Sequence, residues 1–303
     1  MILEGDKSVI DAIKEKKRLM DAGLEHEHIR PMLMITGGMM KGVYGVGAVR
    51  ALDDLGFDSV FYAALGISAG APTVGYLLGK NTRNGGRVIY EDCCTKTFFN
   101  FCRFWSPMNS AFFQKVVEGE TGKPLNVDKI LNHITEYRVG TTVYDTGVPK
   151  LIKPTTPEEL FIGTRASVSM PAACAADIRL KNQRLVDGSA SKPHALEAMW
   201  DTFPEATHVL IIANQDKETR KVGMPERLLL ETLYRFRMSA GLRNAVTHRR
   251  RIRHEFIERK LTDGTKPLAV TWGDSFIGAF EQNTNKVEAG VDRSEAWWRE
   301  LLQ

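Results

Sequence analysis

The chain of 303 residues carries 41 Lys/Arg against 37 Asp/Glu, a formal net charge of +4, and 43% of its residues are hydrophobic. That length allows one large domain with an ample core, and so slight a charge excess excludes the strong basic bias of a nucleic-acid binder. No run of 18 or more apolar residues occurs, which excludes an ordinary transmembrane helix.

Residues 1–30 open with MILEGDKSVIDAIKEKKRLMDAG, which mixes acids and bases and lacks the apolar segment of a Sec signal. Ile10, Ile13, Leu19 and Met20 fall near one helix face. This stretch is expected to be a helical extension ahead of a single domain at 31–303. The cysteines, Cys93, Cys94, Cys102 and Cys174, match no zinc spacing. They read as reduced thiols of a cytoplasmic protein.

From Pro31 strands and helices alternate. PMLMIT is a short apolar run followed at once by glycines, hence a buried strand, and GVGAVRALDDLG has helical spacing that stops at Gly56. Between them the backbone N–H groups of Gly37, Gly38 and Met39 can converge on an oxygen that bears negative charge. Nucleotide loops fit poorly. Val43 and Tyr44 stand where a P-loop needs Lys and Ser/Thr, and a dinucleotide fingerprint starting at Gly45 fails at Arg50.

VFYAALGIS reads as a second strand and AGAPTVGYLLGK as the helix after it. Their junction is Gly66-Ile67-Ser68-Ala69-Gly70. An acyl-transfer serine sits on such a junction because its hydroxyl must stand proud of a sharp turn. Bulky side chains two residues either side would clash with the neighbouring backbone. The helix N-terminus then points free N–H groups at the developing charge.

The middle, about Thr82 to Tyr144, is rich in aromatics. FFNFCRFW within it suits either core or the wall of an apolar pocket. ELFIGTRAS, QRLVDGS, HVLIIAN and PLAVTW read as further strands, so the pattern implies a largely parallel sheet covered on both faces. In LVDGSAS, Asp187 precedes Gly188, which suits a tight turn or a carboxylate held as a base. No histidine lies in a motif of its own. An esterase of the α/β-hydrolase type would need one, such as His194 or His208, as its base.

Residues 225–261 hold ten Lys/Arg against four Glu, with Leu228, Leu229, Tyr234, Phe236 and Met238 interleaved. One or two amphipathic helices are expected. The basic run at 249–253 is either a solvated face or a peripheral contact with anionic lipid.

Taken together, TGGMMKG (Thr36–Gly42), GISAG (Gly66–Gly70), RASVSMPAAC (Arg165–Cys174) and DGS (Asp187–Ser189) resemble the patatin-like phospholipases. The resemblance covers about Pro31 to Leu196. It implies a three-layer α/β/α sandwich with a mostly parallel sheet, and hydrolysis of lipid acyl esters with no metal and no cofactor. Ser68 would be the nucleophile and Asp187 the general base, without histidine. Gly37, Gly38 and Met39 would form the oxyanion hole, supported by Lys41, Gly42, Gly66, Gly70 and Gly188. The chain departs from the family at Met39, where a third glycine is usual, at Ser189 after Asp-Gly, and at Lys192-Pro193. A catalytically degenerate lipid-binding protein is the alternative that Met39 raises.

Overall fold

A computed structural model describes residues 1–103, 105–171, 173–174, 177–218 and 238–303. The sequence readings at Leu228, Leu229, Tyr234 and Phe236 lie outside the described residues.

Nine strands form one sheet in the order β1-β9-β8-β2-β3-β4-β7-β6, with β5 also paired to β4. They are β1 (Ile2–Gly5), β2 (Pro31–Ile35), β3 (Ala63–Ile67), β4 (Glu136–Val143), β5 (Pro149–Ile152), β6 (Ile178–Leu180), β7 (Gln183–Asp187), β8 (His208–Ala213) and β9 (Leu268–Trp272). The five central strands, β9-β8-β2-β3-β4, run parallel. Both margins turn antiparallel, β1 on β9 and β5 and β7 on β4. The sheet is thus mixed, with the expected parallel arrangement confined to its centre.

The central strands are apolar throughout because both faces are covered. Leu33, Ile35, Ala64, Leu210 and Ile212 pack with α1 (Ser8–Asp21), α2 (Val43–Asp54) and α3 (Gly70–Leu78). Met32, Met34, Leu65, Val209 and Ile211 point the other way, into a second cluster. Each such side chain contributes about 1.5–3 kcal/mol relative to exposure, against about 0–1 kcal/mol for a surface ion pair. Burial of both faces therefore outweighs surface pairing in holding the central strands.

Residues 1–30 supply more than a helix. β1 pairs along β9 from Ile2↔Trp272 to Gly5↔Ala269, and Val9, Ile10 and Ile13 of α1 are buried against the sheet. After α3 come α4 (Thr82–Arg87), α5 (Ser110–Glu118) and α6 (Val127–Leu131), then α7 (Pro157–Val168). α7 corrects one expectation, since ELFIGTRAS is helical. Thr156 caps it by accepting the Glu159 N–H, Pro157 opens its first turn, and the Glu159 carboxylate accepts the Thr155 N–H at 3.0 Å. These capping signals outweigh the local β-branched run, and Leu160, Gly163, Thr164 and Ser167 then share its buried face.

The chain closes with α8 (Ala195–Thr202), α9 (Ala240–Asp263) and α10 (Thr284–Leu302). α8 and α9 bring Leu196, Met199, Phe256 and Ile257 to the second face, whereas Trp298 and Leu302 of α10 join the first. No helix among the described residues is long and apolar enough to cross a membrane.

Candidate active site

Sheet register places the site. Ile67, the last residue of β3, lies beside Gly140 of β4, and Thr141 of β4 lies beside Asp187, the last residue of β7. β7 enters antiparallel from the edge where β3 and β4 end. Its final residue therefore arrives at the same edge as Ser68, one strand away.

Ser68 occupies a left-handed backbone conformation, φ 55°, at the turn into α3. A β-carbon on Gly66 would come within 2.4 Å of the Gly70 carbonyl oxygen, and one on Gly70 within 2.2 Å of the Ile35 oxygen. Only glycine fits at either place, as the elbow demands. The Ser68 N–H donates to Ser167 Oγ at 2.9 Å, and that hydroxyl donates to the Gly140 oxygen at 2.7 Å. Ser167, from α7, thereby fixes the elbow to β4. Such strained turns persist where surrounding bonds over-determine them.

Asp187 is fully buried. The Ser189 N–H donates to its Oδ1 at 2.8 Å, and Thr142 Oγ1 donates to its backbone oxygen at 2.8 Å. Its Oδ2 is buried without a well-formed hydrogen bond. Among the described residues no hydrogen bond joins the Ser68 hydroxyl to this oxygen, although the hydroxyl is near enough to favour the charged carboxyl. Burial raises the carboxyl above its ordinary pKa. The bonds from Ser189, the nearby Ser68 hydroxyl and the positive charge of Arg249 oppose that rise. Gly188 must be glycine because a β-carbon there would lie 2.2 Å from the Gly140 oxygen.

The loop after β2 runs against Ser68. A β-carbon on Gly37 would sit 3.1 Å from Ser68 Oγ. No acceptor among the described residues takes the N–H groups of Gly37, Gly38 or Met39. Met39 adopts φ 56°, so the third loop position keeps its N–H at the cost of a left-handed conformation, of order 1 kcal/mol for a non-glycine residue. Lys41 forms an ion pair with Asp216 at 2.7 Å, anchoring the loop to the chain beyond β8.

Asn214, which sequence reading passed over, is the other anchor. It is fully buried at the end of β8. Its Nδ2 donates to the Thr36 oxygen at 2.5 Å, and its Oδ1 accepts the Gly45 N–H at 2.6 Å. The side chain thus ties the loop to α2. The one signal was an amide directly after the apolar run HVLIIA.

Among the described residues no hydrogen bond joins a histidine to Ser68 or Asp187. His194 is buried, accepts the Leu196 N–H at the start of α8, and is driven down to about 3 by burial and then by the Arg253 charge. His208 is at the far, opening end of β8 and pairs with Thr207.

An apolar cleft of about 760 Å³, counting its open mouth, begins at Ser68. Met39, Pro72, Tyr76, Phe98, Met108 and Phe113 are among its walls. Phe98 and Phe99 of FFNFCRFW serve both as core and as cleft wall. Cys93 also lines it, and burial holds that thiol in its protonated form.

Within the basic run at 249–253, Arg249 and Arg250 are half-buried and Arg251 is exposed. Arg253 is buried, brought down to about 9 by burial and by Arg250 and Arg249, and its Nη2 donates to Gln215 at 2.7 Å. Arg251 is exposed and pairs with Glu255 at 3.3 Å.

A protein-family model described as patatin-like phospholipase matches residues 33–200, a span that includes Gly37, Ser68 and Asp187. Among solved structures, the chain is similar to a type III effector protein, ExoU, at 15% identity and a TM-score of 0.30. That match covers 71% of this chain and 53% of the other, so the chain spans about half its length. No curated protein matches the sequence.

Proposed function

The chain belongs to the patatin-like phospholipase family, and on that premise we propose that it is a serine hydrolase of (phospho)lipid acyl esters, of phospholipase A or lysophospholipase type, working through a Ser68–Asp187 dyad. The observation that carries this reading is the buried Asp187 carboxylate, delivered by β7 to the strand edge where Ser68 opens into an apolar cleft.

Ser68 Oγ attacks the ester carbonyl carbon and its proton passes to Asp187 Oδ2. The carbonyl oxygen becomes an oxyanion, held by the N–H groups of Gly37, Gly38 and Met39. The tetrahedral adduct then collapses. The C–O bond to the alcohol breaks, and the departing lysolipid or glycerol oxygen takes the proton from Asp187. Water next gives a proton to Asp187 and attacks the acyl-serine, releasing the fatty acid and restoring the Ser68 hydroxyl. The raised affinity of Asp187 for protons suits this work, because a base poised nearer the working pH accepts a serine proton more readily than an ordinary carboxylate. The cleft holds the acyl chain, and its apolar walls leave the ester carbon as the polar atom presented to Ser68.

Mass-spectrometric analysis of products from a defined set of phospholipids tests this. Wild-type protein should release fatty acid and lysophospholipid, and Ser68→Ala should release neither. Equal release by Ser68→Ala, or no acyl product from any phospholipid or lysophospholipid, contradicts it.

A further inference from the structure

We propose that Phe101, Trp105 and Phe280 form the face by which the protein docks on a lipid aggregate, with the Ser68 cleft opening into that face. This rests on the lipid-hydrolase reading for its purpose but on separate residues for its binding.

Large hydrophobic side chains exposed elsewhere, Ile2 on β1 and Leu24, Ile134 and Val148 in separate connecting segments, are far apart in the chain, as is normal on any protein surface. Phe101, Trp105 and Phe280 are 63%, 57% and 50% exposed and belong to two loops that frame the cleft. Phe101 lies 4.8 Å from Phe99 and 5.6 Å from Phe280, and Phe99 lies 5.2 Å from Phe280, between ring centroids. Phe99 and Phe280 also line the cleft. The aromatic surface therefore runs unbroken from the wall of the cleft out to solvent.

The loops are built to hold these rings outward. Phe99 and Met108 pair across the base of the first loop. Arg103 Nη2 donates to the carbonyl oxygens of Lys96, Thr97, Phe98 and Pro107 at 3.1–3.3 Å. A guanidinium spent on backbone carbonyls braces the loop from within. The second loop joins the first through Gln282 Nε2, which donates to the Phe99 oxygen at 3.2 Å. It joins the oxyanion loop through the Met40 N–H, which donates to the Ala279 oxygen at 3.3 Å.

Exposed Phe and Trp side chains around an apolar opening suit the boundary layer of a lipid aggregate, where aromatic rings reside. An acyl chain leaving the aggregate would pass from lipid to Phe280 and Phe99 and then to the cleft without crossing water. The 249–253 region is basic rather than aromatic, with Arg251 exposed beside Glu255 and Arg253 buried. The partner that fits is thus a lipid surface recognised by apolar contact, with or without negative charge.

The test uses the full-length chain. Ser68→Ala protein, which cannot turn over, is sedimented with phosphatidylcholine vesicles, with and without phosphatidylserine. It should bind both, and brominated phosphatidylcholine should quench Trp105, a signal that Trp105→Phe removes while binding persists. Adding Phe101→Ser and Trp105→Ser should lower partitioning about tenfold or more. With Ser68 restored, that double variant should hydrolyse a monomeric short-chain nitrophenyl ester within about twofold of wild type but vesicle lipid about tenfold more slowly. Unchanged vesicle binding, or absence of quenching at Trp105, overturns the proposal. So does a shift from dimer to monomer in the double variant with vesicle hydrolysis unaffected, which would assign the face to a second copy. If the wild type hydrolyses nothing while Ser68→Ala still binds through Trp105, the catalytic reading fails and the docking face stands.

Discussion

The cleft at Ser68 has two walls built by different means. One is the sheet edge, where Ser68, Gly140 and Asp187 are set by strand register and where a β-carbon on Gly66, Gly70 or Gly188 would come within 2.2–2.4 Å of backbone oxygens. The other is made of loops and short helices, in which Phe98, Met108, Phe113 and Phe280 are held by packing and by one bracing arginine. The first wall tolerates almost no change in shape, and on the proposed function it would set the chemistry. The second offers apolar area of adjustable outline and on the same reading would set which acyl chains fit.

The sharpest way to break this comparison is Asp187→Asn. The account expects kcat to fall by about 10³–10⁴-fold, as when a member of a catalytic unit is lost. The same change should raise the melting temperature by about 2–4 °C at neutral pH, because a buried carboxylate with a raised pKa costs stability when it is ionised. The sign follows from the direction of the shift. The unfolded chain gives up this proton at lower pH than the folded one, so stability attached to Asp187 is present at low pH and lost as pH rises through its folded pKa. Fluorimetry beside a rate assay reads both effects, and a destabilised Asn variant would count against the assignment.

On the loop wall, Met108→Trp should fill the cleft. Long-chain esters should lose about tenfold or more in kcat/KM and butyryl esters less than about twofold. Equal losses would show that both walls act on the chemistry. A finer probe is Arg249→Ala. Its positive charge opposes the rise in the Asp187 pKa, so its removal should move the acidic limb of the pH–kcat/KM profile upward, with the plateau little changed.

The sheet-edge wall was the legible one. Gly66, Gly70 and Gly188 around Ser68 and Asp187 are read from short spacings because backbone collisions leave no other residue possible there. Ser167, Gly140 and Asn214, which hold that wall in place, were not assigned. Their bonds reach partners from 27 to 178 residues away, and no local pattern records them. The aromatic middle gave a composition but no order: β4, which separates Ser68 from Asp187, hides in EYRVGTTV. ELFIGTRAS misled through its β-branched and aromatic residues, although Thr156-Pro157-Glu158-Glu159 just before it carries the helix start. In the basic segment, charge alone did not tell Arg253, which the fold buries, from Arg251, which stays exposed.

The central claim is that Ser68 is activated by Asp187 and by no imidazole. Intact-mass analysis after reaction with a fluorophosphonate tests it most directly. The account predicts one adduct on Ser68 in the wild type and in His194→Gln, and strongly slowed labelling in Asp187→Asn. Full labelling of Asp187→Asn together with its loss in His194→Gln would contradict it.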